Sequence, residues 1–196
     1  MKRIFDLILA LFGIVLLLPL FTIIALIILI TMPGPVLFRQ KRIGRSGNVF
    51  LVNKFRSMRV LKEASNGSFD AGDGSRTTPL GRFLRKTKLD ELPQLINVLK
   101  GEMSFVGPRP EVKQWTEVYP EKWKIVHSLK PGITDNASIE FRNEEEILAE
   151  SDDPIKTYKE VILPKKLDLY IDYVNNHSFT GDLKIILKTI KAVLEG

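Results

Sequence analysis

Two adjacent carboxylates, Asp90 and Glu91, stand just before an apolar, helix-like run, and Arg82, Arg85, Lys86 and Lys88 crowd them from the upstream side. Further along, Gly107-Pro108-Arg109-Pro110 reads as a stiff turn presenting one guanidinium. Carboxylates, cations and a rigidly held arginine suit phosphate chemistry. A carboxylate can serve as a covalent nucleophile toward phosphorus or as a metal ligand. A diphosphate needs its charge offset by cations or a metal before an anion can approach it. Arginine grips phosphate with two prongs, which lysine cannot do. Asp90 also has a good structural reading as the N-cap of the following helix, with Glu91 and Pro93 in its first turn. Periodicity alone does not choose between these readings.

The elements that must position these residues can be read on either side. A helix is expected over 79–88 with Leu80, Phe83 and Leu84 inward. The helix after the acidic pair carries Leu92, Leu95, Ile96 and Leu99 as its buried stripe and stops at Gly101. Two short strands, 36–38 and 49–52, flank a basic, glycine-punctuated turn. Lys54-Phe55-Arg56-Ser57-Met58-Arg59 is basic with aromatic interleaving, suited to anionic lipid or a nucleotide phosphate, or simply a solvated face. Residues 62–78 read as a polar loop, and Asp70 and Asp73 lack the full spacing of a calcium loop. Trp115, Tyr119, Trp123 and His127 lie in an amphipathic region, His127 in a packing or surface role. The turn at Pro131-Gly132-Ile133-Thr134 leads to an extended 138–142, and Asn143 caps a helix opened by three glutamates. Residues 154–174 read as two helices broken at Pro164. The last segment, 180–194, has Leu183, Ile186, Leu187, Ile190, Val193 and Leu194 at helical spacing, with Lys184, Lys188 and Lys191 on other faces. Such a basic amphipathic helix packs on its own domain or lies on anionic lipid.

The first segment is of another kind. Residues 7–32 carry no charge and are almost wholly apolar, longer than the ~20 residues a membrane helix needs. No small-x-small cleavage site follows, so a signal peptide is disfavoured. Lys2 and Arg3 precede the segment, and Arg39, Lys41, Arg42 and Arg45 follow it, so both ends favour the cytoplasmic side. Pro19 lies near the middle and leaves two arms of roughly 20 Å each, short of a ~30 Å hydrocarbon core. A re-entrant helix-break-helix fits these facts; a plain spanning helix with a tolerated proline fits as well. Asp6, at the membrane edge, has Arg3 one turn away as a partner, or sits in the headgroup region.

At 196 residues, the chain is about one domain, long enough for a real core. A charge of +6 and a pI near 9.5 imply an anionic partner. No nucleic-acid motif is present, and the cations gather near the acidic pair instead of forming a stripe. Without cysteine, disulfides and thiolate metal sites are excluded.

Taken in order, Lys2-Arg3-x-x-Asp6, the proline-centred apolar segment, Lys54-Phe55-Arg56-Ser57-Met58, Leu89-Asp90-Glu91-Leu92-Pro93-Gln94-Leu95, Asn97-Val98-Leu99-Lys100-Gly101, Met103-Ser104-Phe105-Val106-Gly107-Pro108-Arg109-Pro110 and Pro131-Gly132-Ile133-Thr134 resemble a small bacterial sugar transferase of the monotopic phosphoglycosyl transferase family. The resemblance covers essentially the whole chain. It implies an α/β fold, mostly helical with few short strands. It implies a re-entrant membrane helix over 1–32, a catalytic domain over 33–196 and amphipathic interface helices. The implied enzyme sits in the bacterial inner membrane and faces the cytoplasm. It moves a sugar-1-phosphate from a UDP-sugar to a polyprenyl phosphate, with Mg²⁺, and opens assembly of capsule, O-antigen, exopolysaccharide or glycoprotein glycans. By the same resemblance, Asp90 is the nucleophile, Glu91 helps bind the metal with Asp90, and Arg85, Arg109, Arg142 and Lys54 serve the substrate. A homodimer and contact with membrane lipids also follow from it; nucleic acid does not. Two departures stand out. A Ser-Pro pair in the family is Leu18-Pro19 here, and a glycine-rich stretch after the PGIT turn is replaced by Asp135-Asn136-Ala137-Ser138-Ile139-Glu140-Phe141 before Arg142-Asn143. The rival reading is a non-enzymatic, membrane-anchored basic interaction protein.

Overall fold

The computed structural model describes residues 1–59 and 77–195, so the expected loop with Asp70 and Asp73 lies almost wholly outside the described residues. Among these the chain is α/β and mostly helical with short strands, as expected. It forms two compact units: one holds 1–41, 51–59 and 77–103, the other 42–50 and 104–195.

The first unit is built on α1 (Lys2–Thr31), with β1 (Leu37–Ile43) and β2 (Val49–Phe55) pairing around a turn that belongs to the second unit, then α2 (Pro79–Lys86) and α3 (Gln94–Lys100). At 30 residues α1 is about 45 Å long. The expected interruption does not end the helix, because α1 runs on through Pro19. Proline offers no N–H to Val15, and the Thr22 hydroxyl donates to the Leu18 carbonyl at 3.0 Å, a back-bond of the kind that bends helices. Pro19 thus marks a loosened turn, not a gap.

One side of α1 is packed along its length. Near its start, Arg3 donates to the Val98 and Leu99 carbonyls at 2.6 and 3.1 Å, satisfying the end of α3. Gly13 faces Leu95, whose Cδ1 would lie 3.3 Å from an added Cβ. Toward its end, Ile24, Ile28 and Met32 join Phe55 and Leu84 in a core cluster. Arg56, buried at 3% exposure, donates to the Pro33 carbonyl at 2.9 Å and to the Met32 carbonyl, holding the chain where the helix stops. The remaining sides are bare: Ile8, Phe12, Val15, Leu16 and Ile30 are all exposed, Ile30 at 82%. A helix this long and apolar, with so little of its surface covered, marks the chain as membrane-associated.

Two inward faces differ from the expectation. Phe83 of α2 is 58% exposed, because Gly81 lies against the Ser57 backbone and turns Gly81 and Leu84 inward instead. The Thr78 hydroxyl caps this helix by accepting from Gly81 N at 3.0 Å. In α3 the buried face is Gln94, Leu95, Asn97 and Val98, while Leu92, Ile96 and Leu99 are half-buried. Asp90 is not an N-cap: it sits in a 3-10 turn, Leu89–Glu91, and α3 begins only after Pro93, which has no N–H to continue the turn as α-helix. Gly101 ends α3 at φ 84°, as expected.

The second unit comprises β3 (Ser104–Val106), α4 (Lys113–Thr116), α5 (Pro120–Val126), β4 (Gly132–Thr134), α6 (Asn136–Glu140), α7 (Glu144–Ala149), α8 (Pro154–Thr157), α9 (Leu163–Asn176) and α10 (Phe179–Leu194). Strands β3 and β4 pair in parallel, Ser104 opposite Gly132 and Val106 opposite Thr134. Trp115, Trp123, Tyr158, Ile162, Leu163, Leu167 and Tyr170 form its main core. Of the segment expected to be extended, residues 138–140 lie in α6, which the Asp135 side chain caps through Ser138 N at 2.9 Å. The expected break at Pro164 is absent. A π-helical turn, Tyr158–Ile162, joins α8 to α9, and Pro164 follows directly after that widened turn. Of the two placements open for the α10 stripe, the outward one is found: Leu187 is 66% and Ile190 51% exposed. Asp182, which accepts from the Tyr173 hydroxyl at 2.7 Å, and Thr189, bonded to Thr134 at 2.6 Å, take the inward face with Ile185. Satisfying those polar groups goes with the outward placement.

Candidate active site

The acidic pair belongs to the first unit. Lys88 enters the turn in the left-handed region, at φ 57°. Glu91 N then donates to Lys88 O at 3.2 Å and Leu92 N to Leu89 O at 3.3 Å, the short bonds of a 3-10 turn. This conformation buries Asp90 to 5% exposure and turns Glu91 toward β2. There Lys54 Nζ meets Glu91 Oε1 at 2.8 Å, with side-chain exposures of 24% and 11%. Such a pair is screened by salt far less than a surface pair. Of the sequence candidates, the structure therefore brings Lys54 and Glu91 into direct contact. Arg85, on α2, is half-buried and donates to Thr77 Oγ1 at 3.4 Å. Arg3 and the buried Asp6 lie on α1, where Arg3 serves the end of α3.

The spacing between β2 and the acidic turn is held by a residue absent from the candidates above. Asn97, fully buried, accepts from Asn53 N at 3.0 Å and Asn53 Nδ2 at 2.9 Å. Its own Nδ2 donates to Leu51 O at 2.6 Å and Glu102 Oε2 at 2.7 Å. Lys54 follows Asn53, and α3 follows the acidic pair, so one side chain ties the cation's strand to the carboxylates' helix. A polar residue on the buried face of an apolar helix was the available signal.

Arg109 and Arg142 belong to the second unit. The Gly107-Pro108-Arg109-Pro110 turn is held at both ends. On one side Gly107 N donates to Thr134 O at 3.1 Å and Gly132 N to Pro108 O at 3.0 Å. The two glycines lie back to back, and a Cβ on either would strike the other's strand. On the other side Glu111, 5% exposed, receives Arg42 at 2.9 Å, the Tyr158 hydroxyl at 2.7 Å and Val112 N at 3.0 Å. Burial pushes the Glu111 carboxyl up, but Arg42, Lys166 and the Tyr158 and Val112 hydrogen bonds together hold it below its ordinary range. Asp135 is pushed up by burial, an effect that its Ser138 bonds and the charges of Arg109 and Lys166 oppose. Burial lowers His127, which stacks on Trp123 with ring centroids 5.2 Å apart and keeps to the packing role expected of it. Arg142 is exposed beyond α6. Glu111 was invisible in the sequence as a positioning residue because its partners, Arg42 and Tyr158, are far away along the chain.

Among the described residues no group of three or more His, Asp and Glu side chains is arranged to hold a metal. The available donors are the adjacent carboxylates of Asp90 and Glu91, and that set suits Mg²⁺, which commonly takes one or two protein carboxylates and completes its shell with water and substrate phosphates.

A family model described as bacterial sugar transferase matches residues 1–196. The chain is 38% identical over 194 residues to the UDP-glucose:undecaprenyl-phosphate glucose-1-phosphate transferase of Escherichia coli, covering 97% of this chain and 39% of that protein. It is 34% identical over 198 residues to the UDP-N-acetylgalactosamine-undecaprenyl-phosphate N-acetylgalactosaminephosphotransferase of Aeromonas hydrophila, covering 100% of this chain and 44% of that one. It is also 38% identical over 196 residues to the uncharacterized sugar transferase EpsL of Bacillus subtilis, covering 99% of this chain and 87% of that protein. The chain thus spans less than half the length of the Escherichia coli and Aeromonas hydrophila proteins.

Because the folded pKa of Glu111 lies below its ordinary 4.5, its contribution to stability is full above that pH and is lost as the pH falls through the folded value. Glu111→Gln takes the charged partner from Arg42 and is expected to cost about 3–5 kcal/mol at neutral pH. Chemical unfolding of the detergent-purified chain at a series of pH values checks this: the gap between parent and variant narrows below pH 4.5.

Proposed function

Since the chain belongs to the bacterial sugar transferase family, we propose that it is a phosphoglycosyl transferase that moves a sugar-1-phosphate from a UDP-sugar to a polyprenyl phosphate. The observation that carries this reading is the buried Asp90 beside a Glu91 locked to Lys54 at 2.8 Å, a fixed constellation of anion and cation inside a family-wide match. An Asp90 carboxylate oxygen bonds to the sugar-bearing β-phosphorus. The bridging oxygen–phosphorus bond breaks and UMP leaves. A phosphate oxygen of the polyprenyl phosphate then attacks the same phosphorus, and the Asp90–phosphorus bond breaks to restore the carboxylate. Asp90 and Glu91 are the residues that would hold Mg²⁺, which, when bound, neutralises diphosphate charge. Arg109 fits the binding of the nucleotide phosphates, held by a turn pinned at both ends. Arg85 on α2 and the exposed Arg142 are assigned to the substrate on the same reading.

The enzyme works from the cytoplasmic face of the bacterial plasma membrane. A re-entrant α1 is supported by its packing: Arg3 near one end and Met32 at the other are both tied to elements of a single compact unit. A helix crossing to the far side would have to give up one of these attachments. On α10, the outward stripe of Leu183, Leu187 and Ile190 is accompanied by exposed Lys184, Lys188 and Lys191, which suits an anionic bilayer surface.

The test is a screen of UDP-sugars with UMP detection. Turnover is expected with at least one donor and only with both Mg²⁺ and polyprenyl phosphate. Asp90→Asn should lose activity by at least about 10³-fold, the scale on which essential catalytic groups act, while staying membrane-bound. Arg109→Ala should weaken UDP-sugar use. Membrane binding without turnover on any donor would instead favour the anchored interaction protein. Topology is read with single cysteines, which the chain natively lacks. Lys2→Cys and Lys124→Cys should both be shielded from an impermeant maleimide in intact cells, and labelling of only one would rule out the re-entrant α1.

A further inference from the structure

The Lys54–Glu91 contact has a consequence for the metal. We propose that Lys54 is a positioning residue that keeps the acidic pair from binding a bare divalent cation, so that metal and nucleoside diphosphate must enter together. This rests on the reading of Asp90 and Glu91 as the metal-facing carboxylates of a UDP-sugar transferase.

The charges set the argument. Two carboxylates would offer a divalent cation a site of charge −2. The ammonium of Lys54, 2.8 Å from Glu91 Oε1, offsets one unit of that charge, and one of the carboxylate oxygens is already engaged by a strong donor. Lys54 cannot swing away cheaply. Its strand is fixed to α3 through Asn53 and Asn97, and its side chain is three-quarters covered. Among the described residues no third His, Asp or Glu joins the pair to make up the deficit. Mg²⁺ gives up its water reluctantly and needs several hard oxygens to do so. A diphosphate brings those oxygens and negative charge with it. Its arrival also gives the Lys54 ammonium a second anion to face, which loosens its hold on Glu91.

The arrangement has a functional use. An acidic pair loaded with metal but no donor would have its nucleophile tied up by a cation. With Lys54 on Glu91, Asp90 meets the cation only when the phosphorus it must attack is also present. Linkage makes the effect reciprocal: the factor by which UDP tightens metal binding must equal the factor by which metal tightens UDP binding.

Mn²⁺ binding to the full chain in detergent, followed by loss of the free-ion EPR signal, tests this without reference to activity. The parent should bind Mn²⁺ weakly alone and at least about tenfold more tightly with UDP present. Lys54→Gln should tighten bare Mn²⁺ by about tenfold, the size expected for removing one nearby unit charge, and the UDP enhancement should shrink accordingly. Lys54→Arg, which keeps the charge, should behave as the parent. Glu91→Gln should abolish the Lys54-dependent part, separating this site from other acidic residues. Lys54→Met serves as a second neutral variant if the circular dichroism of Lys54→Gln departs from the parent's. Bare Mn²⁺ binding by the parent as tight as binding with UDP overturns the proposal, and so does a folded neutral variant whose bare Mn²⁺ affinity is unchanged or weaker. The transfer assay separates the two possible failures. An enzyme that turns over while its neutral Lys54 variants leave metal affinity untouched refutes only the role of Lys54. A chain that neither transfers from any UDP-sugar nor binds UDP refutes the functional reading beneath it.

Discussion

The first unit depends on one buried amide. Asn97 uses both ends of its side chain, accepting from Asn53 and donating to Leu51 O and Glu102. Its backbone carbonyl also accepts from Glu102 N and Met103 N as the chain leaves α3. An amide at zero exposure must be satisfied completely or it destabilises the fold. Here it is satisfied only when β2 lies at one register against α3. That register brings Lys54 to Glu91, and the proline after the acidic turn keeps Asp90 in a 3-10 conformation instead of a helical cap. The placement of the charged groups is therefore a by-product of hydrogen-bond satisfaction in the core.

The same unit gives the apolar helix its place. Residues near both ends of α1 are bound by polar contacts to neighbouring elements: Arg3 to the carbonyls that end α3, and the Met32 and Pro33 carbonyls to the buried Arg56. The helix is thus part of the fold of this unit, and its exposed apolar sides are what the membrane must cover. The second unit applies the same device to a loop. The arginine turn is clamped between paired glycines and a buried glutamate, so Arg109 is presented by backbone and core contacts, with little left to the loop itself.

Much of this was legible in the sequence, and the pattern of misses is informative. Local, covalently encoded signals held: the long apolar helix, the stop at Gly101, the hairpin strands and the mostly helical α/β class. The family could be named from the order of short motifs, and the whole-chain match bears that out. What failed were choices between faces and caps that depend on distant partners. Phe83 was expected inward because it is apolar, but Gly81 allows the Ser57 backbone to approach and sets the helix rotation. The pattern of α10 leaves its apolar stripe free to face inward or outward, and the bond between Asp182 and the Tyr173 hydroxyl goes with the outward choice. Residues 138–142 look extended by pattern, but the Asp135 side chain caps a helix that takes in 138–140. Asn97 in the first unit and Glu111 in the second, each of which holds a charged turn of its own unit in place, carry no sequence signal beyond being polar where an apolar residue would be ordinary.

The central claim is that Asp90 becomes covalently bonded to phosphorus during the reaction. The most direct measurement is intact-mass and peptide-mapping spectrometry of the chain after incubation with a competent UDP-sugar and Mg²⁺, with no polyprenyl phosphate present. The account predicts a phosphosugar mass on the peptide containing Asp90, discharged when the lipid acceptor is added. A preparation that completes transfer on adding the acceptor, yet never carries that mass beforehand, would contradict it.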